Sequence, residues 1–145
     1  MEIQITNEQQ TLPVDEAIIR RAIGAILRDA GTAEGEISVA LVDEPTLTEL
    51  HVRFMNNENP TDVMSFVLER SEDGTELEGE VVVSADMAAS RAEEFNMNPS
   101  DELLLYIIHG TLHLVGYDDI DATDRAEMRA QEQKYLRELE IGPNR

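Results

Sequence analysis

The feature that most limits the fold of this chain is a run of apolar residues near its C-terminal end. Residues 103–117, LLLYIIHGTLHLVGY, contain no Asp, Glu, Lys or Arg. Acidic residues mark the start of the run, which is typical of a helix N-terminus, and Ser100 is the expected N-cap. Apolar residues would occupy every face of a helix over residues 99–116, so we expect it to be buried at the centre of the protein. The run is shorter than the ~20 residues that cross a membrane.

The rest of the chain combines short β-strand patterns with amphipathic helix patterns. The strands are expected at residues 2–6, 36–42, 63–69 and 80–84, and further helices at residues 14–28, 46–55, 85–95 and 123–139. Strands 63–69 and 80–84 are close enough along the chain to form an antiparallel pair. Because strands and helices intermix, we predict a single α+β domain over residues 1–145, with one mixed four-stranded sheet covered by about five helices.

The composition sets limits on partners and location. Acids outnumber bases by 31 to 11, which leaves a formal charge of −20. Such a chain repels nucleic acid at long range in dilute salt, so either its partners are cationic or neutral, or it works in strong salt, where the Debye length falls to ~3 Å at 1 M. There is no cysteine, which excludes disulfides and thiolate metal sites. The N-terminus lacks the segments of a signal peptide, and we expect a cytoplasmic protein that does not contact membranes.

Two of the three histidines lie one helical turn apart in the apolar run. His109 and His113 share one face of the predicted helix, and imidazoles at this spacing can bind one ion. Gly116 can adopt the left-handed conformation that ends a helix, and the reversal could return Asp119 to the same face. The string H-x-x-x-H-x-x-G-x-x-D has the spacing of the metzincin signature HExxHxxGxxH, with Gly110 in place of the glutamate and Asp119 in place of the third histidine. We therefore predict a metzincin-like metal-site helix with His109, His113 and Asp119 as ligands.

Structural roles for the same residues stay open. Histidines in an apolar helix are commonly hydrogen-bonded core residues, although two buried rings need partners for four ring nitrogens and one ion supplies two of them. Asp119 could be a solvated loop acid or a cap for the last helix. Asp118 could take its place as a ligand.

The motif and two upstream segments resemble a known family. His109–Asp118 (HGTLHLVGYD) is similar to HGxLHLxGYDH of the YbeY family, residues 60–66 (PTDVMSF) to its PTDVLSF, and residues 77–84 (LEGEVVVS) to its LGDIVIS. The resemblance implies a zinc-dependent endoribonuclease that cleaves single-stranded ribosomal RNA in rRNA maturation and ribosome quality control, with the ribosomal subunit or ribosome-associated proteins as partners. It also implies that Arg53, where the family has an arginine before PTDVLSF, clamps phosphate. Asp119 departs from the family, whose motif ends in histidine.

An aspartate ligand changes the chemistry that the resemblance implies. Two histidines and one carboxylate still form a three-ligand site with an open position. The anionic ligand should acidify bound water less than a third histidine would, and it helps manganese or iron to compete with zinc. The resemblance implies metal-assisted attack on a phosphodiester. Peptide hydrolysis of the zincin kind is not expected, because position 110 lacks the glutamate base. Glu80 is a further candidate that could assist as a base.

Two other functions remain open at this stage. A ribosome-associated RNA- or protein-binding module would carry a structural or degenerate metal site, and Asp119 in place of the third histidine would then indicate that the catalytic site has been lost. A mononuclear iron protein of the two-histidine, one-carboxylate type would use its open positions for oxygen chemistry. No pattern in the sequence indicates a pocket for an organic co-substrate.

Overall fold

A mixed four-stranded sheet organises the fold. A computed structural model of the chain describes residues 1–43 and 63–139. The strands are β1 (Glu2–Asn7), β2 (Glu34–Val42), β3 (Val63–Arg70) and β4 (Glu76–Ser84), in the spatial order β1-β2-β4-β3. Strands β1 and β4 both run parallel to β2, whereas β3 is antiparallel to β4. The mixed sheet and the antiparallel pair predicted from the sequence are therefore confirmed.

The sequence predicts that strand β4 begins at Glu80, but in the structure it begins at Glu76. The turn before it is tight because Asp73 accepts hydrogen bonds from the backbone N–H and the hydroxyl of Thr75, at 3.0 and 2.8 Å. These bonds, the backbone one first, hold the pKa of Asp73 below its ordinary value. Leu77 and Gly79 are buried in alternation with exposed glutamates, but a glycine at one inward position hides the apolar period from a sequence reading.

Four helices accompany the sheet in the described residues. They are α1 (Glu16–Asp29), α2 (Ala85–Glu94), α3 (Pro99–Leu114) and α4 (Ala122–Glu138). Each corresponds to a predicted helix, and the remaining predicted helix, at residues 46–55, lies outside the described residues. Within residues 1–43 and 63–139, no helix is long and apolar enough to cross a bilayer.

The N-cap of α3 is Asn98, so the prediction of Ser100 is wrong. The side-chain oxygen of Asn98 accepts a hydrogen bond from the backbone N–H of Ser100 at 2.9 Å. Asn and Ser cap helices about equally well. Pro99 decides between them, because proline is favoured at the first helical position, where its missing N–H leaves no bond unmade.

Helix α3 is buried along most of its length, as its composition predicts. It shares one hydrophobic core with the apolar face of α1 and with residues of β2 and β4. Ile107, Ile108 and Leu114 have no exposed surface, and burial of each contributes about 1.5–3 kcal/mol. After the first turn, residues 99–101, only His109 and His113 on this helix are not buried, with side chains 22% and 26% exposed. Their face of α3 therefore reaches the surface, where a site can form.

Candidate metal centre

The two histidines of α3 lie against each other on one face of the helix. The ring centroids of His109 and His113 are 4.7 Å apart, and the rings are nearly perpendicular, at 79°. The geometry follows from their spacing, because residues four apart on a helix are neighbours on its surface. The core around α3 holds the helix in place, so both rings point to the same region.

A glycine ends α3 and returns the chain to this face. Gly116 has φ 112°, which is in the left-handed region that glycine adopts most readily. Its N–H donates to the carbonyl of His113 at 3.1 Å, and the N–H of Tyr117 donates to the carbonyl of Leu112 at 3.0 Å. This is the Schellman arrangement of a helix C-terminus. It reverses the chain so that Asp119 comes back over the histidines.

The carboxylate of Asp119 faces the same nitrogen of both rings. Its Oδ2 lies 3.4 Å from Nε2 of His109, and its Oδ1 lies 3.6 Å from Nε2 of His113. The three candidate ligand atoms all lie within 4.8 Å of one another. Ligands about 2.0–2.2 Å from a tetrahedral zinc ion lie roughly 3.3–3.6 Å from each other. The two distances from Asp119 to the rings are in this range, and His109, His113 and Asp119 together form a candidate site for one metal ion.

The second nitrogen of each histidine faces a different carboxylate. His109 Nδ1 is 2.7 Å from Oε2 of Glu132, whose side chain is 7% exposed. When an ion binds at Nε2, the proton of the imidazole is on Nδ1, and the carboxylate of Glu132 is placed to accept it. His113 Nδ1 lies 3.9 Å from Asp118. Asp118 therefore faces the nitrogen that points away from the candidate ligand set, and the reserve role in which it would replace Asp119 has no support from this geometry.

Glu132 escaped the sequence analysis, although the sequence carries a signal for it. It lies on α4, where Met128, Tyr135 and Leu136 are also buried. These four positions form one helical stripe with the spacing i, i+4, i+7, i+8. An acid in an otherwise apolar stripe needs a buried partner. The sequence indicates that a partner exists, but it does not say which residue it is.

Close packing against the sheet explains why position 110 carries no side chain. A Cβ atom at Gly110 would lie 2.7 Å from Cγ1 of Val81 and 3.0 Å from Oγ of Ser65. The Ser65 hydroxyl donates a hydrogen bond to the carbonyl of Gly110 at 3.1 Å. The glutamate base of the metzincin signature therefore has no room here.

A cleft of about 180 Å³ opens beside the candidate ligands. His109 and Asp119 form part of its wall. Three arginines that the sequence analysis did not single out, Arg91, Arg125 and Arg129, form another part. They come from α2 and α4, so only the packing of these helices around α3 brings them together with the histidines.

Two residues named from the sequence are not part of the described site. Glu80 is exposed on β4 and does not line the cleft. Arg53 lies outside the described residues, so its role as a phosphate clamp stays a prediction.

The fold and the site together define a class of protein. It is a small α+β protein with a candidate mononuclear metal centre, built from two histidines on a buried helix and an aspartate just past the helix end.

Comparison with known proteins identifies the family within that class. The family model described as Endoribonuclease YbeY matches residues 4–140. A protein named Endoribonuclease YbeY from Salinibacter ruber is 32% identical, over 98% of this chain and 94% of its own length. Another of that name, from Carboxydothermus hydrogenoformans, is 37% identical, over 94% of this chain and 96% of its own. The chain belongs to the YbeY family.

A solved structure supports the fold. The solution structure of a protein from Thermotoga maritima matches this structure with a TM-score of 0.63 at 29% sequence identity, covering 94% of this chain and 88% of that one. The α+β architecture predicted from the sequence is confirmed by this similarity.

Proposed function

We propose that this chain is a metal-dependent endoribonuclease. In this proposal residues 1–145 form one metallohydrolase domain that cleaves single-stranded ribosomal RNA during rRNA maturation and ribosome quality control in the cytoplasm. The ribosomal subunit or ribosome-associated proteins are its partners. The observation that carries the proposal is the convergence of His109, His113 and Asp119 beside an arginine-lined cleft, in a chain of the YbeY family.

His109, His113 and Asp119 would hold the ion, which we propose to be zinc, with manganese or iron as competitors. When bound, such an ion polarises a phosphoryl oxygen and lowers the pKa of water to about 7. Glu132 keeps the Nδ1 proton of His109 in place and so presents Nε2 to the ion. Arg53 is proposed to clamp the phosphate with its planar guanidinium, on the resemblance alone.

The aspartate should make this enzyme slower than one with three histidines, because an anionic ligand reduces the positive charge of the site. Asp119→His tests this directly. If Asp119 is a ligand, the variant keeps one zinc per chain, and its RNA cleavage equals or exceeds that of the wild type. A variant that keeps its zinc but cleaves RNA more slowly than the wild type would contradict the idea that the aspartate slows the enzyme.

A second candidate is a ribosome-associated binding module with a structural or degenerate metal site. The aspartate in place of the third histidine is the observation that favours it. This protein would bind RNA or a ribosomal protein without cleaving it.

Metal analysis and RNA cleavage separate the two functions. Protein purified without a histidine tag is assayed for bound zinc, manganese and iron, and for cleavage of single-stranded RNA from low to high salt. We expect one zinc per chain and cleavage that is abolished in His113→Ala. His51→Ala, which removes the histidine outside the motif, is the matched control and should cleave normally. Stoichiometric zinc without cleavage at any salt would favour the binding module, and iron with oxygen-dependent turnover would overturn both.

A further inference from the structure

The arginines of the cleft stand out against the charge of the whole chain. The chain has 11 basic and 31 acidic residues. Yet Arg91, Arg125 and Arg129 line one cleft together with two carboxylates, Asp119 and Glu132. Both carboxylates already face imidazole nitrogens. The wall beside the candidate ligands is thus cationic in a strongly anionic protein.

Within residues 1–43 and 63–139, these guanidinium groups do not stabilise the fold through ion pairs. Among the described residues, none of the three pairs with a carboxylate, whereas Arg20, Arg28 and Lys134 do. A chain with so many acids could readily supply partners. Unpaired arginines grouped in a cleft are therefore available to an anionic ligand.

Helix geometry places two of the arginines in line with the metal centre. Arg125 and Arg129 are one turn apart on α4, and Glu132 follows on the next turn of the same helix, in contact with His109. Arg125 is held in position, because its Nη1 donates to the carbonyl of Ile120 at 3.0 Å. A chain of phosphates running along this side of α4 would lead to the candidate ligands.

The rest of the lining favours a nucleotide chain over a free inorganic anion. Val63, Leu105 and Met128 contribute apolar surface to the same cleft. Its volume of about 180 Å³ is below the ~300–1,000 Å³ of pockets that enclose a small molecule. The cleft suits a short stretch of extended backbone whose phosphates meet arginines and whose sugars or bases meet apolar side chains.

We propose that Arg91, Arg125 and Arg129 bind the phosphates of single-stranded RNA next to the bond that is cleaved. This assignment rests on the proposed function and adds to it the path of the substrate. The planar fork of arginine matches two phosphate oxygens. The local attraction lets an anionic protein hold an anionic polymer, while the remaining surface repels it. These residues position the substrate and do not touch the reacting atoms.

The salt dependence of binding gives a signature for such contacts. Each phosphate contact on a single strand contributes a slope of about −0.7 to log K against log salt concentration. Repulsion by the rest of the surface changes the absolute slope but is nearly the same in single-residue variants. The difference between wild type and variant therefore isolates the contact.

Binding of a labelled oligouridylate to the full-length chain is measured by fluorescence anisotropy, from about 50 mM to 1 M KCl. The buffer contains a metal chelator, so that the RNA is not cleaved. We expect Arg91→Gln, Arg125→Gln and Arg129→Gln each to weaken binding by about 10-fold and to change the slope by about 0.7. Arg28→Gln is the matched control, because Arg28 is 74% exposed and lines a different depression. Arg125→Lys keeps the charge without the fork, so it should keep the slope and lose part of the affinity.

Cleavage by the zinc-loaded chain distinguishes this inference from the proposed function. In the cleft variants we expect a higher KM with kcat nearly unchanged. One outcome is that the wild type cleaves RNA while the cleft variants bind and cleave like Arg28→Gln. That result would overturn the assignment of the arginines and leave the proposed function standing. Arginine-dependent binding without cleavage would support the assignment and count against the nuclease. If the wild type neither binds nor cleaves RNA, both proposals fail.

Discussion

Substituting two helical glycines by alanine tests how closely α3 lies on the sheet. At Gly110 the new Cβ would lie 2.7 Å from Cγ1 of Val81, 3.0 Å from Oγ of Ser65 and 3.1 Å from Cγ2 of Val63. Two of these neighbours are β-branched and stiff, so the helix or the strands must shift. At Gly24, inside α1, a Cβ would meet nothing within 4 Å. The two sites therefore share the backbone effect of the change and differ in packing.

The expected magnitudes follow from that difference. Alanine in place of glycine in a helix interior stabilises by about 0.5–1 kcal/mol. Overpacking at a site without room costs about 1–3 kcal/mol. Gly24→Ala should thus gain about 0.5–1 kcal/mol, and Gly110→Ala should be less stable than Gly24→Ala by about 1–3 kcal/mol. For a domain of this size, each kcal/mol corresponds to about 2–4 °C in Tm.

The free energy of unfolding is measured by urea denaturation, followed by far-UV circular dichroism at fixed salt. Both variants are compared with the wild type at the same protein concentration and metal content. An equal gain in stability at Gly110 and Gly24 would refute the reasoning, because it would mean that α3 does not press on β3 and β4 at the metal site.

Three further predictions concern the metal centre, the hydrogen bond between Tyr135 and the ionised Asp29, and the surface charge. Glu132→Gln should weaken zinc binding by roughly 10-fold, because it removes the charge that holds the His109 proton; a competition titration with a chromophoric chelator that finds no change would contradict this. Tyr135 donates to Asp29 at 2.8 Å and is the main cause that lowers the pKa of that carboxyl below 3.8. The lowered pKa of Asp29 stabilises the fold above pH 3.8. Tyr135→Phe should therefore reduce the free energy of unfolding by about 1 kcal/mol at pH 7, and by progressively less as the pH falls through the folded-state pKa of Asp29. Urea titrations that give the same loss of stability at pH 3 and pH 7 would contradict this. With a formal charge of −20, Tm and the rate of RNA cleavage at saturating RNA should rise or hold as KCl increases to about 1 M, where the Debye length is ~3 Å; a fall in both would exclude a protein that works in strong salt.

The local parts of the site could be predicted from the sequence for a physical reason. Helix periodicity puts residues four apart on one face, so the pairing of His109 with His113 needs no knowledge of the rest of the fold. The stereochemistry of glycine likewise makes Gly116 the place where the helix ends and the chain turns. The position of Asp119 follows from that turn. The N-cap was missed because Asn98 and Ser100 cap about equally well on their own, and only the preference of Pro99 for the first helical position separates them.

The sequence by itself determined the four strands and the four described helices to within a few residues, the central position of α3, and a candidate ligand set on its exposed face, because each depends on interactions within one segment. Only the tertiary structure decided what surrounds that set. Glu132 reaches His109, and Arg91 and Arg129 reach the same cleft, because α2 and α4 pack against α3 at particular distances and angles. Those distances depend on side-chain packing across the whole core, which no single segment specifies.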